Sequence, residues 1–335
     1  MNTNRFKIPF DIALGGVPFG NGFEVMTDEE VHHVLETAWN EGYRFFDTSP
    51  WYGLGLSEIR MGNFLKTKNR DEYLLSTKVG RILTPTDTPP DTMWNEPASN
   101  DYTYDYTAEG TRKSIEDSLE RLGVSHIDYV FIHDLAPGNE ADLGGDWKAQ
   151  FEIAKNGAMP ELTKMKQEGL IKGWGFGVND IDPILESLKV AEPDVFLSAI
   201  SNTILDHDRF IEELLPAIEN SNATLIAGAP FNAGMLTDAG KRYNYEGEMP
   251  EEIVKKYTIL KEVAKKYKVS LSDAAIQFSH APEFVDTVLF GCSTSEQVKQ
   301  NAQALDVAIP IEFWDELTDK GVIHPKAGIG KNYYA

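Results

Sequence analysis

Short apolar runs alternate with amphipathic stretches along most of the chain, regularly enough to predict its elements. Ile12 to Gly16 is an apolar run ending in paired glycines, a first strand. Thr27-Asp28-Glu29-Glu30 reads as a capped helix start, a hydroxyl followed by an acidic first turn. Val31, Val34, Leu35 and Ala38 follow at helical spacing, and Gly42 stops the helix. Tyr43 to Asp47 is a second strand. Ser57 opens a helix carrying Ile59, Met61, Phe64 and Leu65, and Tyr73 to Lys78 is a third strand. Residues 79–106 break the rhythm, being rich in proline, acid and aromatic rings. Loops of that length are usually functional or disordered, and Trp94, Tyr102, Tyr104 and Tyr106 favour an ordered one.

The rhythm then resumes. Thr107 to Leu122 is amphipathic, with Ile115, Leu119 and Leu122 on one face and Gly123 at its end. Ile127 to Ile132 is a fourth strand, ending at His133-Asp134. After a polar loop over 134–148 come a helix from Pro160 to Gly169 and a fifth strand, Ile171 to Val178, ending at Asn179-Asp180. A helix from Pro183 to Leu188 leads to the strand Val195 to Ala199. A helix from Arg209 to Glu219 leads to the strand Thr224 to Ala227. A glycine-bearing turn over 228–234 and a helix-rich stretch over 251–278 precede an eighth strand, Thr287 to Phe290. Gly291-Cys-Ser-Thr-Ser-Glu296 then opens a last helix.

Eight strands alternating with helices predict a parallel sheet, and eight such units predict a closed (β/α)8 TIM barrel of the α/β class. The alternative is an open doubly wound sheet. Its glycine fingerprint is missing, since Gly15, Gly16, Gly20 and Gly22 do not match G-x-G-x-x-G ahead of a helix. No repeat finer than the βα unit and no linker divides the chain, so residues 1–335 are expected to form one domain. Its rim loops fall at about 79–106 and 134–148.

Composition adds limits. An apolar share of 41% and an aromatic share of 11% supply a sizeable core. Fifty-three acidic against 31 basic side chains give a net charge of -22, which repels nucleic acid and anionic membranes. A single cysteine, Cys292, excludes an internal disulfide framework and fits a reducing compartment. The N-terminus lacks an apolar run of signal or membrane-span length, so a soluble, cytoplasmic protein is expected.

Four ionisable residues sit at or just past strand C-termini: Asp47, Tyr52, Lys78 and His133. Each alone has a plain explanation: a turn-capping Asp, a Tyr packed beneath it, a solvated strand-end Lys, a satisfied core His. A barrel, however, builds its active site at that rim and brings all four together. A tyrosine serves as an acid or base near neutral pH if a neighbouring ammonium lowers its pKa from about 10. A carboxylate would keep that lysine charged and oriented, and a histidine can hydrogen-bond a substrate oxygen. The set suits hydride exchange at a carbonyl or hydroxyl carbon. No H-x-x-H or C-x-x-C spacing supports a metal, and His32-His33 lie on the first helix, away from any ligand set.

F-D-T-S-P-W-Y-G-L-G-L-S-E, S-T-K and V-F-I-H-D together resemble the signature of the aldo-keto reductase superfamily, and the resemblance spans essentially the whole chain. By it, Tyr52 is the acid/base, Lys78 tunes its pKa, Asp47 supports Lys78 and His133 orients substrate. G-V-N-D resembles the segment that holds the nicotinamide carboxamide, which implicates Asn179 and Asp180. G-A-P-F-N-A-G-M-L and G-C-S-T-S-E-Q-V-K-Q-N resemble the segments that hold pyrophosphate and adenosine. They implicate Gly228, Phe231, Gly234, Gly291, Cys292, Ser293, Gln297, Gln300 and Asn301. I-E-D-S-L-E-R-L-G, the loop ending Y-D-Y and A-G-A-P-F-N-A-G are similar to the bacterial aldose 1-dehydrogenase branch, which includes L-fucose, D-threo-aldose and pyridoxal 4-dehydrogenases.

There are departures. Where many members stack a tyrosine on the nicotinamide this chain has Gly228, and Phe231 is a candidate for part of that packing. Where members that prefer NADP carry Lys and Arg for the 2′-phosphate, it has Gly291 and Gln297, so NAD is expected over NADP. Trp51, Trp94 and Asp134 are candidates for substrate binding. Tyr102, Tyr104, Tyr106 and Trp147 are further rings for stacking. The implied substrate is an aldose oxidised at C1, with pyridoxal or another aldehyde as the alternative. The superfamily's potassium-channel β-subunits imply a third reading, a nucleotide-bound regulator with slow turnover.

Overall fold

The computed structural model describes residues 5–237, 243–244, 248–327 and 329. Its strands, in chain order, are β1 (Ile12–Gly15), β2 (Phe45–Asp47), β3 (Leu74–Val79), β4 (Arg81–Pro85) and β5 (Asn100–Tyr104). They continue as β6 (Tyr129–His133), β7 (Gly173–Val178), β8 (Val195–Ala199), β9 (Thr224–Gly228) and β10 (Val285–Gly291). All but β4 and β5 form a closed barrel in the order β1-β10-β9-β8-β7-β6-β3-β2. Its pairs are parallel, and closure runs through Leu14↔Phe46 on one side of β1 and Ile12↔Val288 on the other. The (β/α)8 barrel predicted from the alternation is the fold, with helices packed around it.

Strand side chains alternate between faces, and the burial pattern separates two layers on that period. Phe45, Leu74, Tyr129, Phe131, Val195, Leu197, Ile226 and Leu289 fill the barrel interior. Their neighbours Phe46, Leu75, Val130, Ile132, Phe196, Leu225, Val288 and Phe290 face the helices. β7 is the exception that makes room: Trp174, Phe176 and Val178 face outward, while Gly173, Gly175 and Gly177 take the other parity. A Cβ on Gly175 would lie 1.8 Å from the Val195 carbonyl oxygen, and one on Gly177 would lie 3.0 Å from Phe131 Cβ. Phe6, Ile8 and Phe10 pack against the interior cluster ahead of β1, and Ile8 N–H donates to Asp286 at 2.9 Å.

Several elements differ from the sequence expectation. Residues 79–106 are not a plain loop: β4 and β5 pair as an antiparallel hairpin, Arg81↔Tyr104 to Pro85↔Asn100. Tyr102 and Tyr104 share one face of β5, a period-two signal hidden by the polar residues around it. The 134–148 segment contains a helical turn, Glu140–Leu143, and a further helix, Trp147–Asn156, begins before it ends. Trp147, Phe151 and Ala154 are its buried stripe. The 251–278 stretch is two helices, Glu251–Tyr267 and Leu271–His280, broken at Lys268, whose φ is 58°. The 209–219 helix opens with a π turn, Phe210–Leu214. A helix at Ile311–Asp319 follows the one expected to be last. Among the described residues, no helix is long and apolar enough to cross a membrane.

Replacing Gly175 by alanine would drive a methyl group into the backbone of β8. Destabilisation of about 3 kcal/mol or more, the upper end for overpacking, is expected in urea titrations. A midpoint matching the parent's would show that the barrel relaxes around the methyl.

Candidate active site

Parity and strand length place the charged groups. Asp47 lies two residues beyond Phe45, Lys78 four beyond Leu74, and His133 two beyond Phe131, so each falls on the inward face of its strand. Each also sits at or next to the C-terminal end of that strand. The apolar interior stops one layer below them, and the barrel mouth is polar.

Lys78 is 1% exposed. Its Nζ donates to Asp47 Oδ2 at 2.7 Å and to the Thr48 carbonyl at 2.8 Å. Ser76 Oγ donates to the other Asp47 oxygen at 2.6 Å. An ammonium so deep remains charged only with such partners. Tyr52 reaches it from a tight loop in which Gly53, Leu54 and Gly55 all have positive φ. That loop rests on Gly20, where a Cβ would lie 2.5 Å from the Tyr52 carbonyl carbon. Lys78 Nζ stands 4.6 Å from the centre of the Tyr52 ring, and the Tyr52 and His133 rings are 5.9 Å apart, nearly perpendicular.

The electrostatics depart from expectation. Burial, with the Asp47 and Asp134 carboxylates adding, holds the Tyr52 phenol well above its ordinary pKa. It is therefore a neutral proton donor here, although Lys78 sits on its face. Burial pushes the His133 imidazole down to about 3, Lys78 and Arg81 adding to the shift and Asp134 opposing it. His133 is neutral.

Around this group lies a second layer whose organising residue, Arg81, sequence reasoning left out. Arg81, 3% exposed, donates to Asp134 at 2.7 Å, to Asp142 at 3.2 Å and to the Tyr104 hydroxyl. Its guanidinium lies 4.3 Å from the Trp51 ring centre. Ser49 Oγ stands 3.2 Å from His133 Nδ1. Trp51 and Trp94 meet edge to face at 5.7 Å, and Trp94 also touches Tyr52, so both candidate substrate rings are at the site. Other rings are engaged in the protein itself. Trp147 is buried against Phe151, Tyr106 donates to the His133 carbonyl at 2.8 Å, and Tyr102 and Tyr104 donate to Asp142.

The expected nucleotide residues lie at the C-terminal ends of β7, β9 and β10, on the loops that follow, and on the helix Ser295–Ala302. Asn179 is exposed, and Asp180 accepts from the Asp182 amide at 3.2 Å. Gly228 ends β9 and Gly234 has open space where a Cβ would be. The Phe231 ring packs against Phe290 at 5.7 Å, inside the core. Gly291 is exposed, and a Cβ there would lie 2.8 Å from Pro18. Cys292 is buried, with Asn301 donating to its sulfur at 3.5 Å, so neither side chain faces outward. Gln300 donates to Ser272 at 3.1 Å. Gln297 turns back to accept the Ser293 and Thr294 amides at 2.8 and 3.3 Å, closing a capping box on the helix Ser295–Ala302. Two buried amide oxygens, of Asn202 and Asn232 on the loops after β8 and β9, lack a partner within the described protein. Such unpartnered acceptors fit a bound amide or ribose donor. Among the described residues, no three His, Cys, Asp or Glu side chains are arranged to hold a metal ion.

The chain is similar to known proteins over most of its length. The Aldo/keto reductase family model matches residues 11–321. The chain is 35% identical over 324 residues to D-threo-aldose 1-dehydrogenase of a Pseudomonas species, covering 93% of this chain and 94% of that one. It is 31% identical over 327 residues to pyridoxal 4-dehydrogenase of Microbacterium luteolum, with the same coverage. Among solved structures, an aldo-keto reductase from Bacillus halodurans in its holo form superposes with a TM-score of 0.70 at 23% identity, covering 92% of this chain and 91% of that one.

His133 and His207, the latter pushed down to about 4 by burial, make stability fall with acid. Between about pH 6.5 and those folded-state values the unfolded chain binds protons that the folded chain refuses. Each is expected to remove on the order of 2 kcal/mol by pH 5. Urea midpoints should drop between pH 7.5 and 5; a constant midpoint would mean that both imidazoles protonate in place.

Proposed function

This chain belongs to the aldo/keto reductase family of oxidoreductases, and on that premise we propose that it oxidises the C1 hydroxyl of an aldose with NAD. The observation that carries the reading is the convergence of Lys78, Asp47, Tyr52 and His133 at one barrel mouth. A bound nicotinamide supplies or accepts the hydride. Asn179, Gly228, Gly234 and the 291–301 segment would hold it, with Asn202 and Asn232 offering their free oxygens.

The protein's own part is proton handling and orientation. His133 directs the substrate oxygen, and Tyr52 exchanges a proton with it. In the reducing direction the neutral phenol donates. In the oxidising direction the step runs in reverse from the phenolate. The phenol first gives its proton to solvent, and the phenolate then takes the hydroxyl proton as hydride leaves. The ammonium on the ring face offsets part of the burial that disfavours that charge. Asp47 keeps Lys78 ionised, and the dry surroundings make each term stronger than in water.

A sugar is supported by the 35%-identical relative named for an aldose and by the Arg81–Asp134 pair beside the tetrad. A pyridoxal-like aldehyde is the second reading, supported by the Trp51–Trp94 wall and the pyridoxal-named relative. Relatives named as potassium channel β-subunits are 23–24% identical, and the assembled tetrad favours turnover over a purely regulatory role. NAD is preferred because neither Gly291 nor Gln297 brings a cation to a 2′-phosphate, and Gln297 already occupies two amides at the helix start.

Reduced-nicotinamide absorbance with NAD and NADP, against aldoses including L-fucose and against pyridoxal, is the direct test. Turnover of an aldose, faster with NAD, is expected. Silence on every sugar with coenzyme bound would remove the aldose reading. Tyr52→Phe is expected to lower kcat by about 10²- to 10⁴-fold with coenzyme affinity retained. Loss of affinity instead would place Tyr52 in binding rather than proton transfer.

A further inference from the structure

Consecutive residues on a strand point to opposite faces, yet the His133 and Asp134 side chains meet. The cause is the left-handed backbone of Asp134, with φ 51°, which turns its carboxylate back so that Oδ1 stands 3.4 Å from His133 Nε2. Both side chains keep some exposure, 10% and 14%.

Three contacts decide which group offers a proton. Ser49 Oγ accepts the Trp51 amide at 3.1 Å and lies 3.2 Å from His133 Nδ1. Asp134 Oδ1, an acceptor only, faces Nε2. A lone pair on Nε2 would repel that carboxylate, so the imidazole hydrogen belongs on Nε2 and Ser49 donates to Nδ1. Arg81 fixes the carboxylate through its other oxygen, Oδ2, at 2.7 Å. Arg81 is itself held by Asp142, the Tyr104 hydroxyl and the Trp51 ring. The mouth therefore presents a donor and a fixed acceptor 3.4 Å apart, a spacing that oxygens on two adjacent carbons can bridge.

We propose that Asp134, positioned by Arg81, accepts a hydrogen bond from the hydroxyl on the carbon next to the reacting one. The site thereby selects 2-hydroxy aldehydes and aldoses over their deoxy counterparts. This rests on the oxidoreductase reading above. His133 takes the reacting oxygen, Asp134 the neighbouring one, and Arg81 acts through Asp134 without touching substrate. A substrate lacking that hydroxyl covers the Asp134 carboxylate without replacing the water contact it displaces, the situation in which polar sites discriminate most.

The test is kcat/KM for glyceraldehyde against 3-hydroxypropanal, and for ribose against 2-deoxyribose, in wild type, Asp134→Ala and Arg81→Met. The wild type is expected to favour the 2-hydroxy member by about 10- to 100-fold, the scale of a hydrogen bond to a charged group. Both variants should bring the ratio close to unity; the ratio, not the absolute rate, is the readout. A wild-type ratio of one, or a ratio that survives in Asp134→Ala, overturns the inference and leaves hydride transfer untouched. If thermal melting shows that Arg81→Met does not fold, Asp134→Ala carries the test. Turnover of 4-nitrobenzaldehyde with neither pair accepted also overturns it. No turnover of any carbonyl with coenzyme bound removes the oxidoreductase reading, and this inference with it.

Discussion

A lysine ammonium that is 1% exposed stays charged only where the protein replaces its water, and much of the barrel mouth follows from that requirement. Asp47 and the Thr48 carbonyl replace two water contacts, and the face of Tyr52 supplies a third, softer one. Asp47 must then be satisfied as well, which Ser76 achieves from the neighbouring strand. These groups come from β2, β3 and the loop after β2, so the ion pair also fixes that loop, and with it Tyr52. Losing one partner would leave the other buried and unpaired, which is far worse than never having built the pair.

The same logic recurs where helices meet the barrel. Glu58 is fully buried, with one oxygen taking the Thr77 hydroxyl and the other the Arg121 guanidinium. It ties the helix Leu56–Leu65 both to β3 and to the helix Ala108–Leu122. Those two helices also approach closely at Gly62, where a Cβ would lie 2.2 Å from the Leu122 carbonyl oxygen. At the opposite end of the barrel, carboxylates just ahead of strands catch amides from neighbouring ones: Asp128 takes Leu75 N–H and Asp194 takes Trp174 N–H. Buried charge here is organising rather than merely stabilising, because each carboxylate spans two or three elements.

Over the site, Arg81 does for the rim what Lys78 does for the barrel mouth. One guanidinium collects a carboxylate beside His133, a second carboxylate from the turn Glu140–Leu143 and the aromatic face of the β4–β5 hairpin. In a chain of net charge -22, the cations at the centre are few and each is surrounded. The excess acid is a property of the surface, and it does not decide the polarity of the site.

The alternation of apolar runs and helices determined the barrel, because eight buried parallel strands have few ways to cover both faces. The strand-end motif likewise made the rim placement of Asp47, Lys78 and His133 legible, since strand parity and the C-terminal rim are one-dimensional facts, while Tyr52 comes from the loop beyond β2. What the sequence did not determine depends on partners distant along the chain. The β4–β5 hairpin looked like loop because its residues are half exposed and polar, and its Tyr102 packs on Trp51, far away along the chain. Trp147 and Tyr106 looked available for stacking until the fold buried one against Phe151 and bonded the other to His133. The Tyr52 phenol was expected to be acidified by Lys78, yet burial and two carboxylates hold its proton more tightly. Desolvation depends on everything within several ångströms, and no local spacing encodes it; only the tertiary structure decided which charges face each other in a dry place.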